Sequence, residues 1–381
     1  MNYEEPVASL GESPSCSLVS MRSAHKYSIF FAKILQKEQF SKKPCDKSLI
    51  TNVKSLFLHC ANRHFCRIRH VFHASNPSSP TKTMDTGNVR LSILIPTYND
   101  ICVELVDALC RQAGSLPHLT YEVLVADDGS TRQEVVEANH VIDSHAHCKY
   151  LRREQNEGRS AIRNYLARQA RYELLLFIDS HMSVIREDYI DSYLSHRTHP
   201  LVYGGYAITA AQSPKDNLRY KYELSCIGAQ DIGSRTASPY SNFHTSNFMI
   251  HRDIMLAHPL DERFKRYGYE DVLFGKQLKA EGIEIFHIDD PVGFNRFESN
   301  QRFVEKTEEG LCTLHEFSDE LRGYSRLLAI SDRLEQWHIM GLPRVVHALF
   351  GKCIRRHLLS AKPSLFLFKV YRLGFFSSLR K

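Results

Sequence analysis

Leu91-Ser92-Ile93-Leu94-Ile95-Pro96 is a short, nearly continuous apolar run, the pattern expected of a strand buried on both faces of a parallel sheet. Residues 100–113 follow with apolar side chains at helical spacing. A second buried strand is predicted over 121–126, and helical spacing returns around 133–143. A short strand over 149–152, a helix over 160–170 and a buried strand over 174–178 complete the series. Strand alternating with helix predicts a doubly wound α/β sheet, whose right-handed crossovers bring every strand C-terminus to one edge. Open α/β sheets bind ligands at that edge.

Residues 1–88 do not share this pattern. They hold short apolar clusters, many Ser, Lys and His, and the turn-rich Asn76-Pro77-Ser78-Ser79-Pro80, as in a weakly ordered extension. Met84, just before the first strong strand, is an alternative start. The domain then runs over 89–310, followed by a helical tail over 311–381. Of 381 residues, 43% are hydrophobic and 24% charged, enough for a sizeable core, and the net charge is +6. That excess belongs to the tail, where no Asp or Glu lies between Arg344 and Lys381. The ten cysteines include no CxxC pair, which argues against a zinc ribbon and for reduced thiols. No apolar run approaches the ~20 residues that span a bilayer, and no secretory h-region is present, so the expected location is cytoplasmic.

Each predicted strand ends on a polar cluster. Pro96-Thr97-Tyr98-Asn99 closes the first and, alone, is an ordinary strand exit. Asp127-Asp128-Gly129-Ser130-Thr131 closes the second. A helix cap needs only one acceptor, leaving the other acid for a pyrimidine N–H or a ribose hydroxyl. In Asn156-Glu157-Gly158-Arg159-Ser160-Ala161-Ile162-Arg163-Asn164, Gly158 permits a tight turn into a helix whose N-terminus favours anions. Arg159 and Arg163 share one helical face, as a diphosphate site or a solvated basic surface would have them. In Asp179-Ser180-His181 an acid and an imidazole two residues apart can ligate one divalent cation, or cap a turn. Glu270-Asp271, flanked by Tyr267, Tyr269 and Phe274, reads as a capping arrangement or as a general base beside sugar-stacking aromatics.

In this order and spacing the five clusters resemble the family 2 glycosyltransferases of GT-A fold, over about residues 90–310. The resemblance implies a Rossmann-like, mostly parallel sheet flanked by helices. It implies an inverting enzyme that moves a sugar from a nucleotide donor, UDP-linked, to a hydroxyl of a glycan or lipid-linked saccharide, as in polysaccharide or cell-envelope glycan synthesis. Nucleotide contacts would come from Pro96, Thr97, Tyr98, Asn99, Asp127, Asp128, Asn156, Gly158, Arg163, Asp179 and Ser180. Asp271 would be the catalytic base and Glu270 would grip the acceptor. Asp179 and His181 stand where the family carries its DxD metal motif. His181 replaces a carboxylate, which moves the expected metal from Mg²⁺ toward Mn²⁺. The Asp-Ser-His form is also similar to that of the polypeptide N-acetylgalactosaminyltransferases, where a further His completes the metal shell. His287 is the candidate here, with an ordinary core or surface histidine as the alternative.

In the tail, Val345, Val346, Leu349 and Phe350 interleave with Lys352, Arg355 and Arg356. Leu365-Phe366-Leu367-Phe368 precede Lys369, Arg372, Phe375, Phe376 and Arg380. A basic amphipathic segment with exposed aromatics predicts contact with anionic lipid at the inner face of the cell membrane; a helix packed on the domain is the alternative. Nothing in the chain matches a nucleic-acid-binding fold. Two other functions remain: a nucleotide-sugar-binding protein of little or no catalytic activity, and a sugar nucleotidyltransferase. The second would carry a Gly-rich basic loop after the first strand, which residues 96–100 lack.

Overall fold

The apolar runs become the central strands β1 (Val89–Thr97), β2 (Leu119–Asp127), β3 (Cys148–Arg152) and β4 (Leu174–Ile178). All five residues of β4 are buried. These elements belong to a computed structural model that describes residues 88–209 and 214–380. The expectations for residues 1–87, Met84 included, lie outside the described residues. Helices α1 (Val103–Gly114), α2 (Gln133–Asn139) and α3 (Arg159–Gln169) alternate with the strands as their spacing predicts. In α1, Leu105, Val106, Leu109 and Ala113 form the buried stripe.

A seven-stranded sheet has the order β3-β2-β1-β4-β8-β6-β9, with β6 (Leu201–Tyr203), β8 (Asn247–His251) and β9 (Ile285–His287). It is mostly parallel; β8 runs antiparallel to both β4 and β6. Side chains alternate between two cores. Leu91, Ile93, Ile95, Val123 and Val125 face Leu105 and Leu109 of α1. Leu94, Leu124, Leu175 and Phe177 face Ile162 and Leu166 of α3 and Phe274 and Leu278 of α8 (Glu270–Ala280). The chain builds β1, β2 and β3 outward in one direction, then returns to place β4 on the other side of β1. That reversal opens a crevice at the strand C-termini. Thr97 and Asp127 are register partners there, and Asp179 directly follows β4. A smaller sheet of β5 (Met182–Ser183), β10 (Val292–Phe294) and β7 (Tyr206–Ile208) flanks the same end.

The tail departs from the surface-anchor expectation. Helices α9 (Asn300–Glu316), α10 (Arg326–Gln336), α11 (Gly341–Leu358) and α12 (Leu365–Leu379) pack on one another. Ser364 starts α12 just after Pro363, its side chain accepting from the Leu367 N–H. Leu367, Phe368 and Phe376 are core residues, not exposed aromatics. Two of the basic residues find acids earlier in the chain: Arg355 meets Glu308 at 2.8 Å, and Arg380 meets Asp332 at 3.1 Å. Val345 and Leu349 alone among the large tail hydrophobics named above are exposed. No helix among the described residues is long and apolar enough to cross a membrane.

Phe376 joins Leu311, Leu314 and Leu328 in a cluster that also contains Phe264 and Leu273, the latter on α8. The tail is therefore part of the support for the helix that begins with Glu270 and Asp271. Phe376→Ala should lower unfolding free energy by about 3–5 kcal/mol, the usual cost of a large aromatic cavity. Urea denaturation of the full chain reads this directly; a loss below about 1 kcal/mol would mean that the tail is not part of the cooperative core.

Candidate active site

Asn99, at the end of β1, takes a left-handed backbone conformation with φ 52°. Its side-chain oxygen accepts from the N–H groups of Thr131 (3.0 Å) and Arg132 (2.9 Å), and its own N–H donates to Ser130 Oγ (2.7 Å). The first cluster is thereby stitched to the second. Asp127 accepts from the Ser130 N–H at 2.6 Å and from the Tyr150 hydroxyl. Asp128 accepts from the N–H groups of Glu157 (3.2 Å) and Gly158 (2.9 Å), with Arg153 at 3.3 Å. Burial, opposed by these donors, raises the Asp128 carboxyl above its ordinary value. The two adjacent acids thus do different work: Asp127 closes its own turn, and Asp128 ties that turn to the entrance of α3.

Glycines make this tie possible. Gly129 has φ 73°, and a Cβ there would lie 2.6 Å from the Gln155 carbonyl carbon. Gly158, with φ 99°, caps α3 against the backbone of Phe264 and Lys265. Both positions need the left-handed region that glycine alone enters freely.

From α3 the network continues. Arg163 is nearly buried and pairs with Asp179 at 2.5 Å. Arg159, one turn earlier, lies 3.8 Å from Glu270 and covers the ring of Tyr267 at 4.3 Å. Glu270 opens α8, after Gly268 (φ 93°) and Tyr269 (φ 72°) turn the chain through left-handed conformations. The five clusters, which extend from Pro96 to Asp271, therefore meet at one edge of the sheet. Several buried polar atoms around them have no protein partner, namely Ser160 Oγ, Arg163 Nε and Glu270 Oε2. Unpaired buried polar atoms cost stability unless something binds to them.

Asp271 and its neighbour differ. Asp271 meets His244 Nδ1 at 2.8 Å and accepts from the Val272 N–H. Burial works against its charged form, but the hydrogen bond and charge of His244 outweigh it, and its carboxyl falls below the ordinary value. Glu270 is pushed up, by burial first and by the Asp271 charge, with Arg159 opposing. His244 is pushed down by burial and up by Asp271, ending above its ordinary value. Sequence reasoning gave His244 no role, because nothing local links it to Asp271 twenty-seven residues on. It likewise missed Asp100, which accepts from Ser180 Oγ (2.8 Å) and Arg296 (2.9 Å); Arg296 also donates to the Ser180 carbonyl.

The metal candidates separate. Asp179 and His181 share one turn after β4. Burial pushes the His181 imidazole below its ordinary value, with Asp179 opposing and Arg159 adding to it, which leaves it neutral at physiological pH. A carboxylate and a neutral imidazole are donors that suit a divalent transition metal. His287 is not with them. Its Nδ1 lies 3.3 Å from Arg235 and its Nε2 3.2 Å from the Pro239 carbonyl, both ring nitrogens being engaged. Burial and the Arg235 charge press its pKa down to about 4. Among the described residues no group of three or more His, Cys, Asp or Glu is placed to hold an ion. His287 therefore takes the alternative reading, a core histidine. Asp179 and His181 remain as the candidate pair.

Among the nucleotide candidates, the hydroxyls of Thr97 and Ser180 are engaged by Asp100, whereas Tyr98 and Asn156 are exposed at the crevice. Residues 92–256 match the profile described as Glycosyl transferase family 2. The chain carries a domain of that family over these residues. Its sheet, with the flanking and C-terminal helices, is the GT-A fold. Chondroitin synthase of Pasteurella multocida (strain Pm70) is 25% identical over 295 residues, 68% of this chain and 30% of that one. Poly(ribitol-phosphate) beta-glucosyltransferase of Bacillus spizizenii is 33% identical over 107 residues, 27% of this chain and 16% of that one. The chain thus spans less than a third of the length of either relative. Among solved structures, the mannosyltransferase PcManGT of Pyrobaculum calidifontis, in complex with GDP-Man and Mn²⁺, superposes with a TM-score of 0.47 at 13% identity. That match covers 87% of this chain and 94% of that one.

Proposed function

We propose that the chain transfers a sugar, with inversion, from a UDP-linked donor to a hydroxyl of a glycan or lipid-linked saccharide. The observation that carries the reading is the single network joining the strand-edge acids, Arg163, Asp179 and the Glu270-Asp271 pair, with unpaired buried polar atoms among them. The relatives named above, a chondroitin synthase and a beta-glucosyltransferase, favour a polymeric acceptor.

Asp127 and Asp128 hold the turn that receives the base and ribose, with Tyr98 exposed beside them. Arg163 and the N-terminus of α3 face the diphosphate. Asp271 takes the acceptor proton as the acceptor oxygen bonds to the anomeric carbon and the bond to UDP breaks. Glu270 holds neighbouring acceptor hydroxyls. Asp179 and His181 would hold a divalent ion, Mn²⁺ in preference to Mg²⁺, which supplies positive charge to the departing diphosphate.

Release of UDP from a panel of UDP-sugars, with oligosaccharide acceptors and Mn²⁺, tests the reading. Tight UDP binding without turnover across the panel would replace it with a binding protein of no catalytic activity. The Arg163–Asp179 ion pair is the feature such a protein would keep, because the guanidinium already neutralises the metal-side carboxylate.

The His244–Asp271 pair adds a pH signature. A protonated His244 clamps the base and makes it a poorer proton acceptor. Transfer should therefore rise as pH climbs through the elevated pKa of His244, above its ordinary ~6.5. The stability signs are opposite for the two groups. The raised His244 stabilises the fold fully below its unfolded value, and that contribution disappears as pH rises through the folded one. The depressed Asp271 stabilises above its unfolded value, and its part is lost as pH falls through the folded one. A pH profile of kcat/KM should lose its upper rise in His244→Gln; an unchanged profile would detach His244 from the base.

A further inference from the structure

We propose that Cys110 and Cys148 form an oxidisable dithiol, a site that reacts with glutathione disulfide and closes into a disulfide joining α1 to β3. Cys110 lies near the end of α1 and Cys148 opens β3, on the flank of the sheet formed by β2 and β3. Their Sγ atoms are 3.2 Å apart, and both thiols are free. Close approach of two thiols thirty-eight residues apart in sequence is imposed by the packing of α1 on β2 and β3, so little motion is needed to bond them. Neither residue is sealed in the core. Both are partly exposed, and Cys148 lines a surface cavity with His147, Lys149 and Arg171.

The surroundings favour one thiol as nucleophile. The Cys148 thiol, as hydrogen-bond partner, lowers the Cys110 pKa; burial opposes this, and the nearby His145 imidazole adds to the lowering. His145 is fixed by the Val141 carbonyl at 3.2 Å and by Asp107 at 2.7 Å. By contrast Cys102, 2% exposed and hydrogen-bonded to Asn139, has its thiol pushed up to about 12 by burial, which leaves it inert.

The reaction balances as thiol–disulfide exchange. The Cys110 thiolate attacks one sulfur of glutathione disulfide. A Cys110–glutathione bond forms, the glutathione S–S bond breaks, and the leaving thiolate takes up the proton that Cys110 gave to solvent. The Cys148 thiolate then attacks Cys110 Sγ and expels the second glutathione thiolate, which takes the Cys148 proton. The dithiol is oxidised by two electrons and one glutathione disulfide is reduced to two glutathione molecules. The loop closed by the new bond carries β2, α2, Asp127 and Asp128.

Peptide mapping of the full-length, fully reduced protein after equilibration at graded ratios of oxidised to reduced glutathione tests this. Trypsin places Cys110 in residues 91–111 and Cys148 in residues 133–149. The expected product is the cross-linked pair, lighter by two hydrogens than the two peptides together. It should persist in Cys102→Ser and be absent from Cys110→Ser. Oxidation should also raise the Tm of Cys102→Ser but not that of Cys110→Ser, because only the first can cross-link this loop. Absence of the pair at every ratio, or its survival in Cys110→Ser, would overturn the proposal. Should Cys110→Ser not fold, Cys148→Ser carries the same two readouts.

Discussion

Asp271→Asn should lower sugar transfer by about 10²–10⁴-fold, the range for loss of a positioned general base, and leave UDP affinity intact. The amide keeps the shape of the side chain, so the contacts from His244 and the Val272 N–H stay geometrically possible; what disappears is the capacity to take a proton. The position is fixed at the first turn of α8 by the left-handed turn at Gly268 and Tyr269 and by the cluster around Leu273. Glu270→Gln should act differently. Glu270 is 5% exposed, with an unpaired Oε2, and its raised pKa suits a hydrogen-bonding role. Its loss should raise the acceptor KM more than it lowers kcat. Measured with saturating donor, equal losses of kcat in the two variants would mean that the carboxylates act as one unit. Full activity in Asp271→Asn would give the proton to another group.

The central sheet was legible because strands buried on both faces are continuous apolar runs; β4 was read to the residue, as 174–178. The return of β8 antiparallel between β4 and β6, and the small sheet of β5, β7 and β10, were not, because the direction and partner of a strand are set by tertiary pairing, and strands of two or three residues such as β5, β7 and β10 leave too short a pattern. The five clusters could be ordered from sequence, but the side chains that couple them could not. Asp100 and Arg296 are 196 residues apart, and His244 approaches Asp271 only through the packing of β8 beside α8. His287 was read from the resemblance to transferases in which a further His completes the metal shell; the contacts with Arg235 and the Pro239 carbonyl that occupy it are a tertiary property. The packing of the tail was hidden for a related reason: an acid-free stretch looks unpaired when its acids, Glu308 and Asp332, stand earlier in the chain.

His181→Ala should produce the other large effect, on metal-dependent UDP binding and on turnover together. Among the described residues no group of three or more His, Cys, Asp or Glu is placed to hold an ion, so in the proposed two-residue site removing His181 leaves a single carboxylate that Arg163 already neutralises. Loss of an outer-shell partner alone costs about 10–100-fold in metal affinity, and loss of a direct ligand should cost at least that. If the ion contributes several kcal/mol to stabilising the departing diphosphate, turnover should fall by about 10³-fold. Calorimetric titration of UDP with and without Mn²⁺, on wild type and variant, separates the effects. Binding that strengthens with Mn²⁺ in wild type and not in His181→Ala supports Asp179-Ser180-His181 as the metal motif. His181→Asp sharpens the test, because a second carboxylate suits a hard cation and should let Mg²⁺ replace Mn²⁺. UDP binding indifferent to metal and to both substitutions would remove the ion from the mechanism. The Arg163 guanidinium and the N-terminus of α3 would then be the positive charge that the leaving diphosphate meets.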